Sequence, residues 1–443
     1  MAITVTKFGG TSLANTKQIL KVKEIIQADE RRKYVVPSAP GKRTPDDEKI
    51  TDLLYLLQRS AEYGHDYETV YNKIRTRFTE IRDGLGLHIK IEEYLEEILE
   101  KILAGADADY AASRGEFLNG LLLADLLGYE FIDAAEVIFF DKRGKYDAAQ
   151  TISALSKRLK DCPRAVIPGF YGSMSDGSIK TFSRGGSDVT GAIVAAAAGA
   201  DLYENWTDVS GFFMADPRIV KHARKIDTIT YKELRELSYM GASVLHEDSI
   251  FPVYQAAIPI NVRNTNEPDA PGTMILPTIE EDEGGRVTGI AGKKHFTVLT
   301  IEKNGMNAEL GFGRRVLACI EKYSIPFEHM PSSIDTLSVV LEDNLVKDSI
   351  SDIIDDIHRV CEPDSVEVVG HIALIATVGR GMVSNVGTAA TLFTALANAG
   401  INVRMIDQGS SEMNIIVGVS NDDFERALNA IHDAFALKEA QIR

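Results

Sequence analysis

The stretch Arg184-Gly185-Gly186-Ser187-Asp188-Val189-Thr190-Gly191, followed by the apolar run 192–198, constrains the fold more than any other. A cation, two glycines, a hydroxyl and a carboxylate occupy consecutive positions, and the helix that follows is apolar on every side. A helix with no polar face sits inside a core. The spacing therefore predicts a central buried helix whose N-terminus meets a small-residue loop, with Ser187 as its N-cap. First-turn N–H groups have no partners within the helix and can receive an anion. The planar fork of Arg184 suits a carboxylate or phosphate. On residue types alone, the stretch reads equally as a capped buried helix after a tight turn or as a ligand site.

Composition narrows the partners. The 443 residues include 48 basic and 65 acidic ones, a formal charge of −17, which speaks against nucleic acid and anionic membrane. The length exceeds one compact core and predicts roughly two to four domains. Cys162, Cys319 and Cys361 are widely separated and in no metal-ligand spacing, which suits a reducing compartment. The first residues are too polar for a signal peptide, and no apolar run reaches the ~20 residues that cross a bilayer. A cytoplasmic protein is expected.

The pattern then alternates. Residues 3–8 form a β-rich run broken by Gly9-Gly10-Thr11-Ser12; a helical pattern through Ile19, Val22 and Ile26 follows, then a strand at 34–36 ending before Ser38. Strand, helix, strand predicts a parallel βαβ unit, so Lys7, Gly9, Gly10 and Ser38 share the carboxyl edge where such sheets bind ligands. Residues 41–48 are a polar, proline-containing loop long enough to act as a flap, and 50–127 read as mostly helical, with Ser113-Arg114-Gly115-Glu116 at the head of an apolar segment. Glu116 reads either as a surface acid favoured by a helix start or, with Gly115, as a point of close backbone approach. Further strands are expected at 131–132, 137–140, 165–167, 179–181, 202–206 and 259–262, with helices at 231–239 and 242–256 and a linker at 269–272.

The acidic, glycine-rich tract 280–285 marks the main boundary. Beyond it the order β-α-β-β-α-β (strands 296–301, 326–330, 336–341 and 366–369) begins again at residue 371, an internal repeat of a ferredoxin-like unit. The second copy lacks room for its last strand, which segment 286–291 would supply. The expected domains are 1–280, 281–370 and 371–443.

The sequence has no G-x-x-x-x-G-K-[ST] loop, no G-x-G-x-x-G fingerprint after a strand, no H-E-x-x-H pair and no G-x-S-x-G elbow. These absences speak against a P-loop NTPase, a Rossmann dehydrogenase, a zinc hydrolase and a serine hydrolase. What remains is a cation-rich edge built for two anions: Lys7 with Gly9 and Gly10 for one, the Arg184 loop for the other. Phosphoryl transfer to a carboxylate poses that problem, and a carboxylate, ionised at neutral pH, needs no general base.

The residues resemble aspartate kinases. Lys7-Phe8-Gly9-Gly10-Thr11-Ser12, Ser113-Arg114-Gly115-Glu116, Arg184-Gly185-Gly186-Ser187-Asp188, Trp206-Thr207-Asp208-Val209, Asp216-Pro217-Arg218 and Val244-Leu245-His246 occur in that family's order. The resemblance implies an α/β protein: an αβα-sandwich amino acid kinase fold with a mostly parallel sheet, followed by two βαββαβ ACT domains. It implies transfer of the γ-phosphoryl group of ATP, with Mg2+, to the side-chain carboxylate of L-aspartate. The product is 4-phospho-L-aspartate, which opens lysine, threonine and methionine biosynthesis.

By position, Lys7 would stabilise the transferring group, Gly9 and Gly10 would cradle it, and Asp188 would orient Lys7. Arg184, with Gly185 and Ser187, would clamp aspartate; Ser38 and Thr51 would hydrogen-bond it, and Glu116 would meet its ammonium. Thr207, Asp208, Phe213, Asp216, Arg218, Ser243 and Val244 would line the nucleotide site. Ser243 stands where many members carry lysine, Glu247 follows His246 where proline is usual, Phe213 replaces a tyrosine, and 42–49 lengthens the loop after Ser38.

An amino acid effector, lysine alone or with threonine, would bind near Met306, Asn307, Leu310, Gly311, Phe312, Glu328, Ser332, Ser333 and Asp335, in a homodimer or higher homo-oligomer. The loop at Val386-Gly387-Thr388 looks like its counterpart in the second copy. A related kinase acting on glutamate, or a non-catalytic amino acid sensor, are the alternatives.

Overall fold

The strand Thr4–Phe8 is buried along its whole length, and its β-branched residues suit such a position. The computed structural model, which describes residues 2–183, 185–242, 245, 249–279, 287–383, 385–409 and 411–442, sets this strand inside an eight-stranded sheet. In chain order the strands are β1 (Thr4–Phe8), β2 (Arg32–Pro37), β3 (Glu130–Phe131), β4 (Ala165–Val166), β5 (Leu202–Thr207), β6 (Thr228–Thr230), β7 (Ile260–Asn264) and β8 (Thr273–Leu276). Their spatial order is β6-β8-β7-β5-β1-β2-β4-β3. Only β7 and β8 run antiparallel; the other neighbours are parallel.

Helices α1 (Thr16–Gln27), α2 (Ile50–Tyr63), α3 (Tyr67–Leu85), α4 (Ile91–Leu103) and α5 (Ala108–Leu127) lie on one face. They bury Val22, Leu54, Phe78, Leu95 and Leu118 against Phe8, Val35 and Trp206. Gly64, Gly86 and Gly128 end three of them in the left-handed conformation, where a side chain would be strained. Helices α6 (Ala148–Lys160) and α7 (Gly186–Ala198) cover the opposite face. Helix α7 is buried nearly throughout, and a Cβ on Gly191 would sit 2.4 Å from the Tyr203 hydroxyl, so glycine there permits the close helix–sheet approach. The result is the expected αβα sandwich.

Several local expectations change. The N-cap of α7 is Gly185, with φ 56° and no side-chain cap bond, rather than Ser187, because the left-handed turn moves the helix start two residues earlier. Residues 134–137 form a turn of helix capped by the Asp133 side chain, so only Phe139–Phe140 of the 137–140 run is strand. Within 242–256 the described helix is confined to Phe251–Gln255. Strands β6 and β8 went unrecognised. The 269–272 segment is the β7–β8 turn, where Gly272 adopts φ +73° and a Cβ would meet the Val262 carbonyl at 2.1 Å.

These elements form one compact unit. A second consists of Phe213–Arg224, Lys232–Ala242 and Glu280–Arg443; the expected boundary tract 280–285 and Arg286 lie outside the described residues. Helix α8 (Tyr231–Tyr239) supplies most of the second of these segments. A five-stranded antiparallel sheet is built from β9 (Gly289–Glu302), β10 (Thr336–Glu342), β11 (Ser365–Val378), β12 (Met405–Asp407) and β13 (Asn414–Ser420), in the order β10-β9-β11-β13-β12. Helices α9 (Phe312–Glu321) and α10 (Ile350–Cys361) share a core with Leu299 and Val339. Helices α11 (Thr388–Asn398) and α12 (Phe424–Ile442) share another with Ile375 and Val417.

Strands β9 and β11 run through both repeats. Residues 296–302 of β9 pair with β10, whereas Gly289–Lys293 pair with Val378–Leu374 of β11, and residue 370 falls inside β11. The 326–330 segment makes only isolated bridges, His329 to Val340 and, beyond it, Ser332 to Leu337; Pro326 and Pro331, which bracket it, have no N–H to extend a ladder. The 213–224 segment packs Met214 and Val220 into the second core. The buried Glu233 of α8 accepts from the Thr288 hydroxyl (2.5 Å), the Arg380 N–H (3.0 Å) and the Arg380 guanidinium (3.0 Å).

Candidate active site

Strand pairing brings Lys7 beside Asn205, and α7 hangs Asp188 over both. Lys7 Nζ lies 2.5 Å from Asp188 Oδ1, and this same oxygen accepts from Asn205 Nδ2 at 2.7 Å. The Tyr203 hydroxyl donates to the Asp188 carbonyl at 3.2 Å. The ammonium is thus held at the carboxyl end of β1, with side-chain exposure of 9% for Lys7 and 18% for Asp188. The pair is partly shielded from water, so the ammonium acts on an arriving anion through a lower dielectric than bulk water, with the Asp188 charge offsetting part of that attraction.

Glycines let the backbone close around it. A Cβ on Gly9 would lie 3.7 Å from Lys7 Nζ, and one on Gly10 would lie 2.9 Å from the Ala39 carbonyl. The Ser38 N–H donates to the Phe8 carbonyl (3.1 Å), and the Ser38 carbonyl accepts from Asn119 Nδ2 (2.7 Å). The Gly169 N–H bonds the Pro37 carbonyl (3.1 Å), while a Cβ on Gly169 would strike the Ser187 Cβ at 2.6 Å. The Ser38 and Ser187 turns therefore share a wall at the end of β2. Gly185 sits at the exposed mouth, and Thr51 occupies the first turn of α2.

Glu116 lies on α5, buried rather than on the surface. Its neighbour Gly115 allows the close approach: a Cβ there would be 2.8 Å from Ala39 Cβ and 3.2 Å from Ile50. Burial pushes the Glu116 carboxyl up to about 8, with the Ala39 N–H and the Arg114 charge only partly opposing this. Among the described residues its Oε2 has no partner. Arg114 is turned away into a cage of Tyr110, Phe117 and Tyr171, 4.7, 4.6 and 5.1 Å from the ring centres.

The remaining expected residues divide. Thr207 ends β5 and donates to the exposed Asp208 at 3.2 Å. Phe213, Asp216 and Arg218 belong to the second unit, where the exposed Arg218 guanidinium pairs with Asp216 at 2.6 Å and holds that carboxyl below its ordinary range. Arg184, Ser243 and Val244 lie outside the described residues. Asn205 and Asn119 carry no signal in the sequence, because Asn205 meets Asp188 only once β5 pairs with β1 and Asn119 meets the Ser38 carbonyl only once α5 packs at the end of β2.

In the second unit, Met306 and Phe312 are core residues and Leu310 is 94% exposed. Gly311 caps α9 with φ 76°. The loop is stitched to the next turn by Asn307 N–H to the Ile334 carbonyl (3.0 Å) and Gly305 N–H to Asp335 Oδ1 (2.8 Å). The Ser333 N–H closes that turn on the Thr336 carbonyl (2.8 Å), Glu328 is half-buried and bonds Val340 through its N–H (2.9 Å), and Ser332 is exposed.

Comparison with known proteins gives the family. The amino acid kinase family matches residues 2–264, and the ACT domain matches 375–435. Aspartokinase 3 of Bacillus subtilis is 37% identical over 97% of this chain and 98% of its own. The chain belongs to the aspartokinases of the amino acid kinase family. The crystal structure of Clostridium acetobutylicum aspartate kinase, described as an allosteric enzyme, superposes with TM-score 0.93 at 55% identity, covering 98% of this chain and 100% of that one. Escherichia coli aspartokinase III, solved with aspartate and ADP, gives 0.77 at 27% identity over 98% and 99% of the chains. Its complex with lysine and aspartate gives 0.75 at 28% over the same shares. Among the described residues of this aspartokinase, no helix is long and apolar enough to cross a membrane.

Proposed function

We propose that the chain transfers the γ-phosphoryl group of ATP to the side-chain carboxylate of L-aspartate. The O–P bond to aspartate forms as the bond to the β,γ-bridging oxygen breaks, giving 4-phospho-L-aspartate and ADP. The observation that carries this reading is the Lys7–Asp188 pair at the end of β1, together with the unpartnered Glu116 oxygen. Lys7 would face the transferring group, with Asp188 and Asn205 fixing its ammonium; Gly9 and Gly10 would admit the phosphates. Ser38, Thr51, Ser187, Gly185 and Arg184 would hold the substrate carboxylates, and Glu116 its ammonium. Thr207, Asp208, Phe213, Asp216, Arg218, Ser243 and Val244 would serve the nucleotide.

Among the described residues no cluster of three or more His, Cys, Asp or Glu could hold a metal alone; the Mg2+ of this proposal would arrive on the nucleotide phosphates. Bound there, it would neutralise phosphate charge.

Effector control would act through the Met306–Asp335 region. Lysine is the proposed effector, in keeping with the complex named for Escherichia coli aspartokinase III; threonine would act with it if control is joint. A homodimer, a cytoplasmic location and entry into lysine, threonine and methionine biosynthesis complete the proposal. The test is a coupled ADP-release assay with aspartate, then glutamate, with and without lysine. Turnover with aspartate that falls by at least about a thousandfold in Lys7→Ala is expected, since a preorganised charge on the reacting group acts at this scale. Turnover with glutamate alone, or none with either, would overturn the reading.

A further inference from the structure

The chain between Ser38 and the start of α2 forms no helix or strand, yet it is held shut from outside. Arg77, on α3, has only 5% side-chain exposure. Its guanidinium donates Nη1 to the Gly41 carbonyl (3.1 Å) and Nη2 to Asp47 Oδ2 (2.6 Å). Asp47 also accepts from Arg43 through N–H (2.9 Å), Nε (3.0 Å) and Nη2 (3.2 Å), which holds its carboxyl well below the ordinary carboxylate range. Gly41 in turn donates its N–H to the Gly10 carbonyl at 2.8 Å, and a Cβ on Gly41 would collide with Gly10 at 2.6 Å. One buried fork thus links α3 to the glycine turn that follows Lys7.

We infer that Arg77 is a positioning residue for the reaction proposed above, on which this inference rests. It closes the 41–47 segment so that the turn bearing Ser38, the helix start bearing Thr51 and the Gly10 turn face one another in advance of substrate. It touches no reactant. Arginine serves because its planar fork holds donors in a fixed geometry toward acceptors on two different residues, whereas a lysine offers a compact charge on a flexible stem. The bonds are part-buried and charge-assisted, so salt screens them less than it would an exposed pair. Without the fork, the polar segment gains many open conformations, and substrate must bear the cost of ordering it.

The test combines backbone amide exchange over 41–49 with steady-state kinetics in both substrates. In Arg77→Met, exchange should rise by about tenfold or more and the aspartate KM by about tenfold, with kcat within about twofold; Arg77→Lys should recover part of both. An unchanged aspartate KM, or a kcat loss at constant KM, overturns the role. If Arg77→Met fails to fold, Asp47→Asn, which retains the Gly41 bond, should raise KM by a smaller factor, and no rise overturns the inference. If the wild type phosphorylates no aspartate, the functional reading fails while exchange still decides: slow exchange in the variant overturns the latch, and fast exchange supports it.

Discussion

Glu116 and Glu204 are both buried in the first unit, at 5% and 3% exposure, and they are treated in opposite ways. Glu204 receives Arg32 at 2.7 and 3.0 Å, Arg263 at 3.4 Å and the Trp206 indole N–H at 2.9 Å. Both guanidiniums also lie against the Trp206 ring, at 5.3 and 4.5 Å. Glu116 has one oxygen with no partner among the described residues, and the nearest cation in sequence, Arg114, is committed to three aromatic rings. A scaffold carboxylate is neutralised by the chain's own cations. A carboxylate that remains uncompensated in a core is destabilising; in the function proposed above, the substrate ammonium would supply the missing cation.

That contrast can be broken in four ways, in falling order of effect. Glu204→Ala should cost about 3–5 kcal/mol of unfolding free energy by denaturant titration, because the buried Arg32 and the part-buried Arg263 lose their counter-charge. Aspartate KM in the surviving folded fraction should stay within about twofold; a stability loss under about 1 kcal/mol would show that the pair is ornamental. Glu116→Gln should do the reverse, raising aspartate KM by about a hundredfold, or about 2.7 kcal/mol, with thermal stability equal or higher. A destabilised Gln variant with normal KM would place Glu116 in the scaffold class.

The third test is pH. Folding raises the Glu116 carboxyl from 4.5 to about 8, so between those values the folded chain binds more protons than the unfolded one. This group's contribution to stability therefore declines as pH rises through that window, and Glu116→Gln should lack the slope. Aspartate binding by the ionised form should strengthen toward pH 8, by up to about tenfold per unit below it, and a flat profile that matches the Gln variant would exclude the ammonium contact. The smallest effect is Arg263→Met, expected to cost about 1 kcal/mol, since its bond to Glu204 is long and its side chain is 17% exposed. A loss equal to that of Arg32→Met would mean the two arginines share the charge equally.

What the sequence made legible was local. The Gly9-Gly10 break after Lys7, the all-apolar run after Asp188 and the doubled strand–helix rhythm of the tail each follow from short-range chemistry. What stayed hidden depends on partners distant in sequence. Asn205 acquires meaning only when β5 lies beside β1, and Arg77 only when α3 meets residues 41 and 47. Strands β6 and β8 are three and four residues long, too short for alternation to register against noise. The segments Phe213–Arg224 and Lys232–Ala242 carry kinase-region sequence yet fold with the tail, because Met214, Val220 and Glu233 find their partners there. No periodicity within those segments announces that allegiance.

The two long strands shared by the tail repeats bear on how the chain can be divided. A fragment ending at residue 370 would sever β11 and leave Gly289–Lys293 without its neighbour, baring a row of main-chain donors and acceptors that invites self-association. Neither repeat is a detachable module. A regulatory fragment must therefore carry both copies, and one cut just ahead of β9 would still lack Met214, Val220 and Glu233, which the unit draws from earlier in the chain; any displacement of one repeat bends a beam that the other must follow.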